Sequence, residues 1–147
     1  MAVGCPFITC AVKRKGIEFC WECGESGTCE RWRKHGESGK QRDSFKCYQT
    51  LEEDLSFISR HGIAEFREIQ EQRALLLKGM LKEFNEGRSK TYYCIAATVL
   101  QLEELEEALS GARKESEGLD VRAKSKILHR ILDEIASRKH YHLKLRK

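Results

Sequence analysis

The sequence DVRAKSKILHRILDEIASRKH at residues 120–140 repeats apolar side chains at steps of three and four residues. Such spacing places these side chains along one face of an α-helix, and that face must be buried against other elements. The apolar positions are Ile127, Leu128, Ile131, Leu132 and Ile135. The stretch therefore predicts a long amphipathic helix that packs into a helical core.

The same periodicity recurs upstream and predicts three further long helices. They cover about residues 44–60, 64–85 and 90–109. His61 and Gly62 are expected to end the first of them, and Ser89 is placed to cap the third. The first half of the third helix is apolar on most sides, which predicts a central position. Residues 111–118 are predicted to be a polar connector, so the predicted body is a bundle of about four longer helices.

Composition and length agree with a single helical domain. The chain has 147 residues, of which 40% are hydrophobic and 34% are charged. No segment of four or more β-branched or aromatic residues alternates with polar ones, so no strand is predicted. No apolar run is long enough for a membrane span, and the first residues lack the pattern of a secretory signal. The predicted class is therefore an all-α protein of the cytoplasm that does not associate with membranes.

The cysteines are concentrated at the start of the chain, where five of the seven fall within the first 29 residues. They are Cys5, Cys10, Cys20, Cys23 and Cys29. In a cytoplasmic chain, clustered cysteines hold a metal or do redox chemistry more often than they form structural disulfides. About 40 residues can rarely bury a sufficient core without a metal or disulfides. The predicted domains are a Cys-rich metal knuckle at residues 1–40 and the helical bundle at 41–147, which together form one compact unit.

Local signals divide this Cys-rich segment into short elements. We predict a short helix, a turn-rich loop, a second short helix and a glycine- and lysine-rich link. These elements cover about residues 6–15, 17–27, 29–35 and 36–42. Gly16 is expected to end the first helix in the left-handed conformation.

The spacing of the cysteines favours a zinc site. Cys20 and Cys23 form a C-x₂-C pair, which lets one turn of the chain point both thiolates at a single ion. Zinc takes four tetrahedral ligands, and Cys10 and Cys29 would complete the set. Cys5 could replace one of these four or belong to a second site. The alternatives are His35 in place of Cys10, an iron–sulfur cluster, and redox-active thiols.

Other residues that could carry chemistry have structural interpretations as well. Cys47 and Cys94 lie within helical patterns and are predicted to be packing residues. Trp21 and Trp32 flank the cysteine loop, where they could cover the metal or dock the knuckle on the bundle. An alternative role for them is stacking on a nucleic-acid base. His61 is expected in a helix-ending turn, and His129 is expected to be an exposed or half-buried helix residue.

Two further features concern anions. Residues 86–94 combine Arg88 and Lys90 with the N-terminus of a predicted helix, which could bind an anion, although a capping role for Ser89 is sufficient. Residues 121–147 hold nine Lys or Arg against two Asp or Glu. This basic end is most simply a solvated helix face, but it could contact phosphates.

The quoted cysteine run resembles a known family. Residues 5–23, CPFITCAVKRKGIEFCWEC, are similar to the Cys-rich half of the family catalogued as "domain of unknown function 3795". Residues 28–30, 55–73 and 84–94 share this resemblance. The resemblance implies a small prokaryotic protein of unknown function that binds zinc through its cysteines. Many relatives carry an upstream Cys-Gly-Leu-x-Cys segment, and some carry a later cysteine ribbon. Neither is visible here, so the five-cysteine knuckle is the one candidate metal site.

The leading hypothesis is thus a cytoplasmic metal-binding protein of the structural or interaction type, with zinc held by four of the five N-terminal cysteines. No nucleophile elbow, P-loop, dinucleotide fingerprint or zinc-protease motif is present in the sequence, and no catalytic residue is predicted. One alternative is a nucleic-acid-binding protein that uses the knuckle and the basic tail. The other is an iron–sulfur or redox thiol protein. A protein partner or a homodimer is also open, because the acidic residues 101–120 could pair with the basic last helix of a second chain.

Overall fold

A computed structural model describes residues 5–41, 51–141 and 143 of the chain. Within these ranges the protein is helical and contains no β-strand, which confirms the predicted all-α class. Helix α1 (Pro6–Ile8) continues as a π-helix (Thr9–Lys15), and two 3₁₀ turns follow (Cys20–Glu22 and Ser26–Thr28). The other helices are α2 (Glu30–Gln41), α3 (Leu51–His61), α4 (Ile63–Glu83), α5 (Lys90–Val99), α6 (Leu102–Glu115) and α7 (Val121–Arg138).

Helices α4 to α7 form the hydrophobic core of the protein, and we call them the α4–α7 bundle. Its largest fully buried side chains include Met80, Phe84, Tyr93, Leu105, Leu128 and Leu132. Helix α6 packs against α7, α4 packs against both α5 and α6, and α3 lies against α4. The apolar stripe of residues 120–140 is thus confirmed as the buried face of α7. The central position of α5 is also confirmed, because its Tyr93 and Ala96 are fully buried.

The predicted helix over residues 90–109 is wrong, because the structure divides it into α5 and α6. The chain is extended at Leu100 and Gln101, with ψ angles of 156° and 155°. The backbone N–H of Gln101 donates to the Glu104 carboxylate at 3.0 Å, so a new helix begins there. Leu100 is fully buried, and its burial anchors the break in the core. Helix α6 then continues to Glu115 through much of the predicted polar connector.

Arg73 of α4 joins this break to the rest of the bundle. Its Nη1 donates to the carbonyl of Ala97 at 2.9 Å and also to the carbonyl of Leu100. These carbonyls belong to the last turn of α5, where helical partners are missing. A cation at the C-terminus of a helix also interacts favourably with the helix dipole. The guanidinium therefore stabilises the sharp turn from α5 into α6.

The predicted link over residues 36–42 is also wrong within the described chain, since α2 continues to Gln41. Ion pairs one helical turn apart support this helix, with Arg33 Nη1 2.7 Å from Glu37 Oε1 and Lys34 Nζ 3.5 Å from Glu30 Oε2. Gly36 lies inside the helix. A glycine weakens a helix without necessarily ending it.

The remaining predicted helices agree with the structure where it describes them. Residues 44–50 of the predicted 44–60 helix lie outside the described residues, and α3 ends at His61 as expected. Gly62 follows with a φ of +87°, a conformation that favours glycine. Helix α4 matches the 64–85 prediction to within two residues. None of the described helices is long and apolar enough to span a membrane.

Residues 5–41, the N-terminal region, contain little buried apolar surface. Among the described side chains of this region, Ala11 is the one buried hydrophobic residue. Its elements are connected mainly by contacts near the surface. Arg31 donates to the carbonyl of Pro6 at 3.0 Å, and the rings of Phe7 and Trp32 lie 4.8 Å apart.

Candidate functional site

Four of the five N-terminal cysteines line one cavity of about 360 Å³, which we call the cysteine cavity. They are Cys10, Cys20, Cys23 and Cys29, the four that the spacing suggested as a complete zinc set. Cys10 comes from the π-helix, Cys20 and Cys23 from the first 3₁₀ turn and its end, and Cys29 from the residue before α2. Cys5 is exposed at the start of α1 and does not line the cavity.

Consecutive turns of the backbone bring these cysteines to the same cavity. Gly16 has a φ of +65° and ends the π-helix, as predicted, so that the chain reverses after Cys10. The N–H of Cys23 then donates to the carbonyl of Cys20 at 3.2 Å, and the N–H of Ser26 donates to the carbonyl of Cys23 at 2.9 Å. A local fold of tight turns therefore presents side chains separated by up to 19 residues of sequence to one space.

The cysteine side chains around the cavity are free thiols that stand apart from one another. Cys5, Cys10, Cys20, Cys23, Cys29 and Cys94 form no disulfide. Throughout the ranges that the structure describes, no three His, Cys, Asp or Glu side chains are grouped closely enough to hold a metal ion. The cavity thus places four thiols around a common space, and metal binding would require their side chains to move closer together.

Lys15 is a residue of this site that the sequence did not indicate. Its Nζ lies 3.0 Å from Cys23 Sγ and 2.6 Å from Glu25 Oε2, and Lys15 and Glu25 both line the cysteine cavity. The hydrogen bond from Lys15 lowers the pKa of the Cys23 thiol, and it also lowers the pKa of Glu25. The thiolate of Cys23 is therefore favoured relative to an ordinary cysteine.

The aromatic side chains near the cysteines separate into two groups. Trp32 lines the cysteine cavity, whereas Trp21 stacks on Phe19 with the ring centroids 4.3 Å apart. Both tryptophans also line a second cavity of about 780 Å³, together with Leu55 and other residues of α3. His35 packs on the ring of Phe7 and does not line the cysteine cavity, so its alternative role as a ligand gains no support.

A second polar site lies on the α4–α7 bundle, in an open groove of about 1500 Å³ between the α4–α5 loop and α7. We call it the α7 groove. At one side of it, Glu86 Oε2 accepts hydrogen bonds from Ser89 Oγ at 2.6 Å and from Ser125 Oγ at 2.9 Å. Ser89 Oγ also lies 2.7 Å from His129 Nε2. These contacts join the loop to α7 through four polar side chains.

The protons in this network can be assigned from the chemistry of its members. The hydrogen bond from Ser89 holds the pKa of Glu86 below its usual range, so Glu86 is a carboxylate that can only accept. The hydroxyl proton of Ser89 therefore points to Glu86, and toward His129 the Ser89 oxygen acts as an acceptor. It follows that His129 carries a proton on Nε2 and donates it to Ser89.

Two tyrosines of α5 complete the network. Tyr92 OH donates to Asp133 Oδ1 at 2.7 Å, and the Tyr92 ring stacks on the His129 ring with centroids 3.9 Å apart. Tyr93 OH lies 3.1 Å from Ser125 Oγ and donates to the Phe84 carbonyl at 3.1 Å. Burial raises the pKa of both tyrosines, so both remain neutral donors.

This network corrects the predicted role of Ser89. Ser89 precedes α5 as expected, but its side chain makes no capping hydrogen bond to the helix. It is buried and contacts Glu86 and His129 instead. His129 is half-buried on α7, as the sequence suggested, although its partners could not be foreseen. Cys94 is half-buried on α5, and Cys47 lies outside the described residues.

The basic end of the chain lies only partly in the described ranges. Lys139 Nζ lies 3.0 Å from Glu104 Oε1, so one cation of this basic end forms an ion pair within the bundle. Residues 144–147 lie outside the described residues, so phosphate binding by the tail stays a prediction. Comparison of the chain with protein-family models, with curated proteins and with solved structures finds no match. The family resemblance of the cysteine run therefore also stays a prediction.

Proposed function

We propose that the protein binds a structural zinc ion at the cysteine cavity, with Cys10, Cys20, Cys23 and Cys29 as ligands. The observation that carries this proposal is that these four free thiols line the same cavity. Four thiolates are a donor set that zinc prefers, and closed four-ligand sites of this kind are structural. Cys5 lies outside the cavity, so we propose that it is a fifth thiol that zinc binding does not require.

The charge around the cavity supports the same assignment. Zinc bound by four thiolates carries two net negative charges, which require compensation in a partly exposed site. Lys15 lies within hydrogen-bond distance of Cys23 Sγ and supplies one positive charge there. Its ion pair with Glu25 at 2.6 Å holds the ammonium group at the edge of the cavity and offsets part of its charge.

The role proposed for the metal is to fold the N-terminal region into a knuckle that packs on the helices. Among the described side chains this region buries Ala11 as its one hydrophobic residue, which provides little stabilisation. Metal binding in such a segment supplies folding free energy directly. The cavity that Trp21 and Trp32 share with α3 is the surface on which the knuckle would dock. The protein would then act as a structural or interaction module.

Metal analysis of the protein purified without oxygen tests the proposal. We expect about one equivalent of zinc per chain, and its loss in the double variant Cys20→Ser/Cys23→Ser. The matched control is Cys94→Ser, which removes a thiol of the bundle and should leave the zinc content unchanged. Less than about half an equivalent of zinc in the parent protein would overturn the proposal. A brown protein that contains iron and sulfide would favour the iron–sulfur alternative, and disulfides without metal would favour the redox alternative.

Removal of the metal should affect one region of the chain only. We expect a strong chelator to make residues 5–41 sensitive to limited proteolysis, because the thiolates then lose their shared ion. Cleavage sites in α4–α7 should stay protected, since the core there does not depend on the cysteines. Addition of zinc should restore protection of the N-terminal region. Equal protection of residues 5–41 with and without the chelator would contradict a structural role for the metal.

A further inference from the structure

The α7 groove is lined by cations that form no ion pair within the part of the chain that the structure describes. Arg88 lines it from the α4–α5 loop, and Arg122 and Lys126 line it from the first half of α7. Among the described residues, none of these three forms an ion pair, whereas the groove's Arg130 is paired with both Glu115 and Glu134. Such unpaired cations around a single groove repel one another, and a bound anion would remove this cost.

We propose that this groove binds the phosphoryl group of a small phosphorylated molecule, with Arg88, Arg122 and Lys126 as its cationic ligands. Arg122 and Lys126 lie four residues apart on α7, which separates them by about 6 Å along the helix axis and places them on the same side. Arg88 approaches from the loop. Guanidinium groups form paired hydrogen bonds with phosphate oxygens, and lysine adds a point charge.

The network beside these cations fixes the relative position of the two segments that carry them before a ligand arrives. Glu86 holds Ser89 and Ser125 at 2.6 Å and 2.9 Å, so the loop that carries Arg88 is tied to the helix that carries Arg122 and Lys126. Binding sites gain affinity when the segments that carry their ligands are already in place. Asp120 lies near Arg122 and Lys126, but its carboxylate accepts two backbone N–H groups of α7 and is committed to that helix.

The distribution of charge along the groove favours a compact ligand over a polymer. Arg88, Arg122 and Lys126 lie beside the first half of α7. Farther along the helix the groove is lined by Asp133, by Glu134, which pairs with Arg130, and by Arg138. A continuous nucleic-acid backbone would also pass over the Asp133 carboxylate, which forms no ion pair within the described residues and would repel a phosphate. A small molecule can place its phosphoryl group among the cations and a hydroxyl or amine near Asp133. The volume of about 1500 Å³ leaves room for such a molecule.

Thermal unfolding with four probes tests this inference on the full chain. The probes are inorganic phosphate, adenosine monophosphate, adenosine and single-stranded oligoadenylate. A ligand that binds the folded state raises the unfolding temperature with increasing concentration. We expect inorganic phosphate and adenosine monophosphate to raise it, and adenosine to leave it unchanged. The double variant Arg122→Gln/Lys126→Gln should bind phosphate at least about tenfold more weakly, because two charge-assisted contacts are lost.

The matched control is the double variant Arg67→Gln/Lys114→Gln, which removes the same charge from exposed positions outside the groove. It should bind phosphate as the parent protein does. Failure of inorganic phosphate and adenosine monophosphate to stabilise the protein would overturn the proposal. So would equal phosphate binding by the groove variant and the parent. Binding of oligoadenylate alone, with a steep dependence on salt, would overturn it in favour of a nucleic-acid surface.

Discussion

The N-terminal region and the α4–α7 bundle are organised by different physical means. In the bundle, large side chains such as Phe84, Tyr93 and Leu132 are almost completely removed from water. In residues 5–41, Ala11 is the one buried hydrophobic among the described side chains, while Ile8 and Val12 remain more than half exposed. One chain thus combines a segment that folds through apolar burial with a segment that lacks sufficient apolar surface to do so.

The polar contacts of the two regions also differ in burial: those of the N-terminal region lie at the surface, and several of those of the bundle lie in its interior. In the N-terminal region the pairs Lys15–Glu25 and Arg33–Glu37 lie at the surface, where water screens them and they contribute little. In the bundle, Ser125 makes its hydrogen bonds in the interior, where loss of a partner leaves a buried group unsatisfied. The difference teaches that the five N-terminal cysteines lie in the region whose described side chains provide little apolar burial. For this reason we propose that a metal, rather than further surface ion pairs, stabilises the N-terminal region.

The largest effect is expected for Leu128→Ala, which truncates a fully buried side chain of α7. We expect the free energy of unfolding to fall by about 2–5 kcal/mol, from lost burial and from the cavity that remains. Urea unfolding followed by circular dichroism measures this change.

Ile8→Ala is the matched truncation in the N-terminal region, where the side chain is 54% exposed. It should change the free energy of unfolding by less than about 0.5 kcal/mol. Similar losses for both variants would break the comparison, because they would show that α1 contributes apolar burial comparable to that of α7.

The helices of the bundle could be predicted from the sequence, but the break between α5 and α6 could not. Apolar periodicity correctly placed α4 and α7, since burial of one face decides both. It failed at Leu100 and Gln101, because these residues carry no proline, glycine or common N-cap side chain. The break depends on the Glu104 carboxylate and on Arg73, which reaches it from another helix. Tertiary contacts of this kind leave no local pattern in the sequence.

The two candidate sites show the same limit. Cys20 and Cys23 are close in sequence, and their spacing alone indicated a shared position. The partners Ser89 and His129 are 40 residues apart, and only the packing of α5 against α7 makes them neighbours. A serine and a histidine on predicted helices are too common for sequence to select this pair. Their site could therefore be found only after the helices were assembled.

A second, smaller effect is expected for Arg73→Ala, which removes the donor to the carbonyls at the end of α5. We expect the free energy of unfolding to fall by about 1–3 kcal/mol, since carbonyl groups in the turn would lose a charged donor. Urea unfolding measures the loss. Arg67→Ala on the same helix is the control, because Arg67 is exposed and its contact with Glu71 is at the surface. An equally small change in both variants would show that the turn after α5 does not need Arg73.

The smallest effect on stability is expected at the residues that precede the first turns of α7 and α1. Asp120 Oδ1 accepts hydrogen bonds from the N–H groups of Arg122 and Ala123, at 2.8 Å and 2.9 Å, whereas Cys5 before α1 makes no side-chain cap. Asp120→Ala should lower the unfolding temperature by a few degrees, and Asp120→Asn, which keeps a capping oxygen, should restore most of it. These hydrogen bonds lower the pKa of Asp120, so its contribution is present at neutral pH and is lost as pH falls through that pKa.

Cys5→Ala is the matching substitution at the residue before α1. It removes no cap from α1 and no thiol from the cysteine cavity, so the unfolding temperature should stay within about a degree of the parent value. Zinc content measured on the same samples separates two reasons for any loss. A lower unfolding temperature with less zinc would mean that Cys5 takes the place of one of the four cavity cysteines. An unchanged zinc content with a lower unfolding temperature would instead mean that the start of α1 is packed more firmly than its exposure indicates.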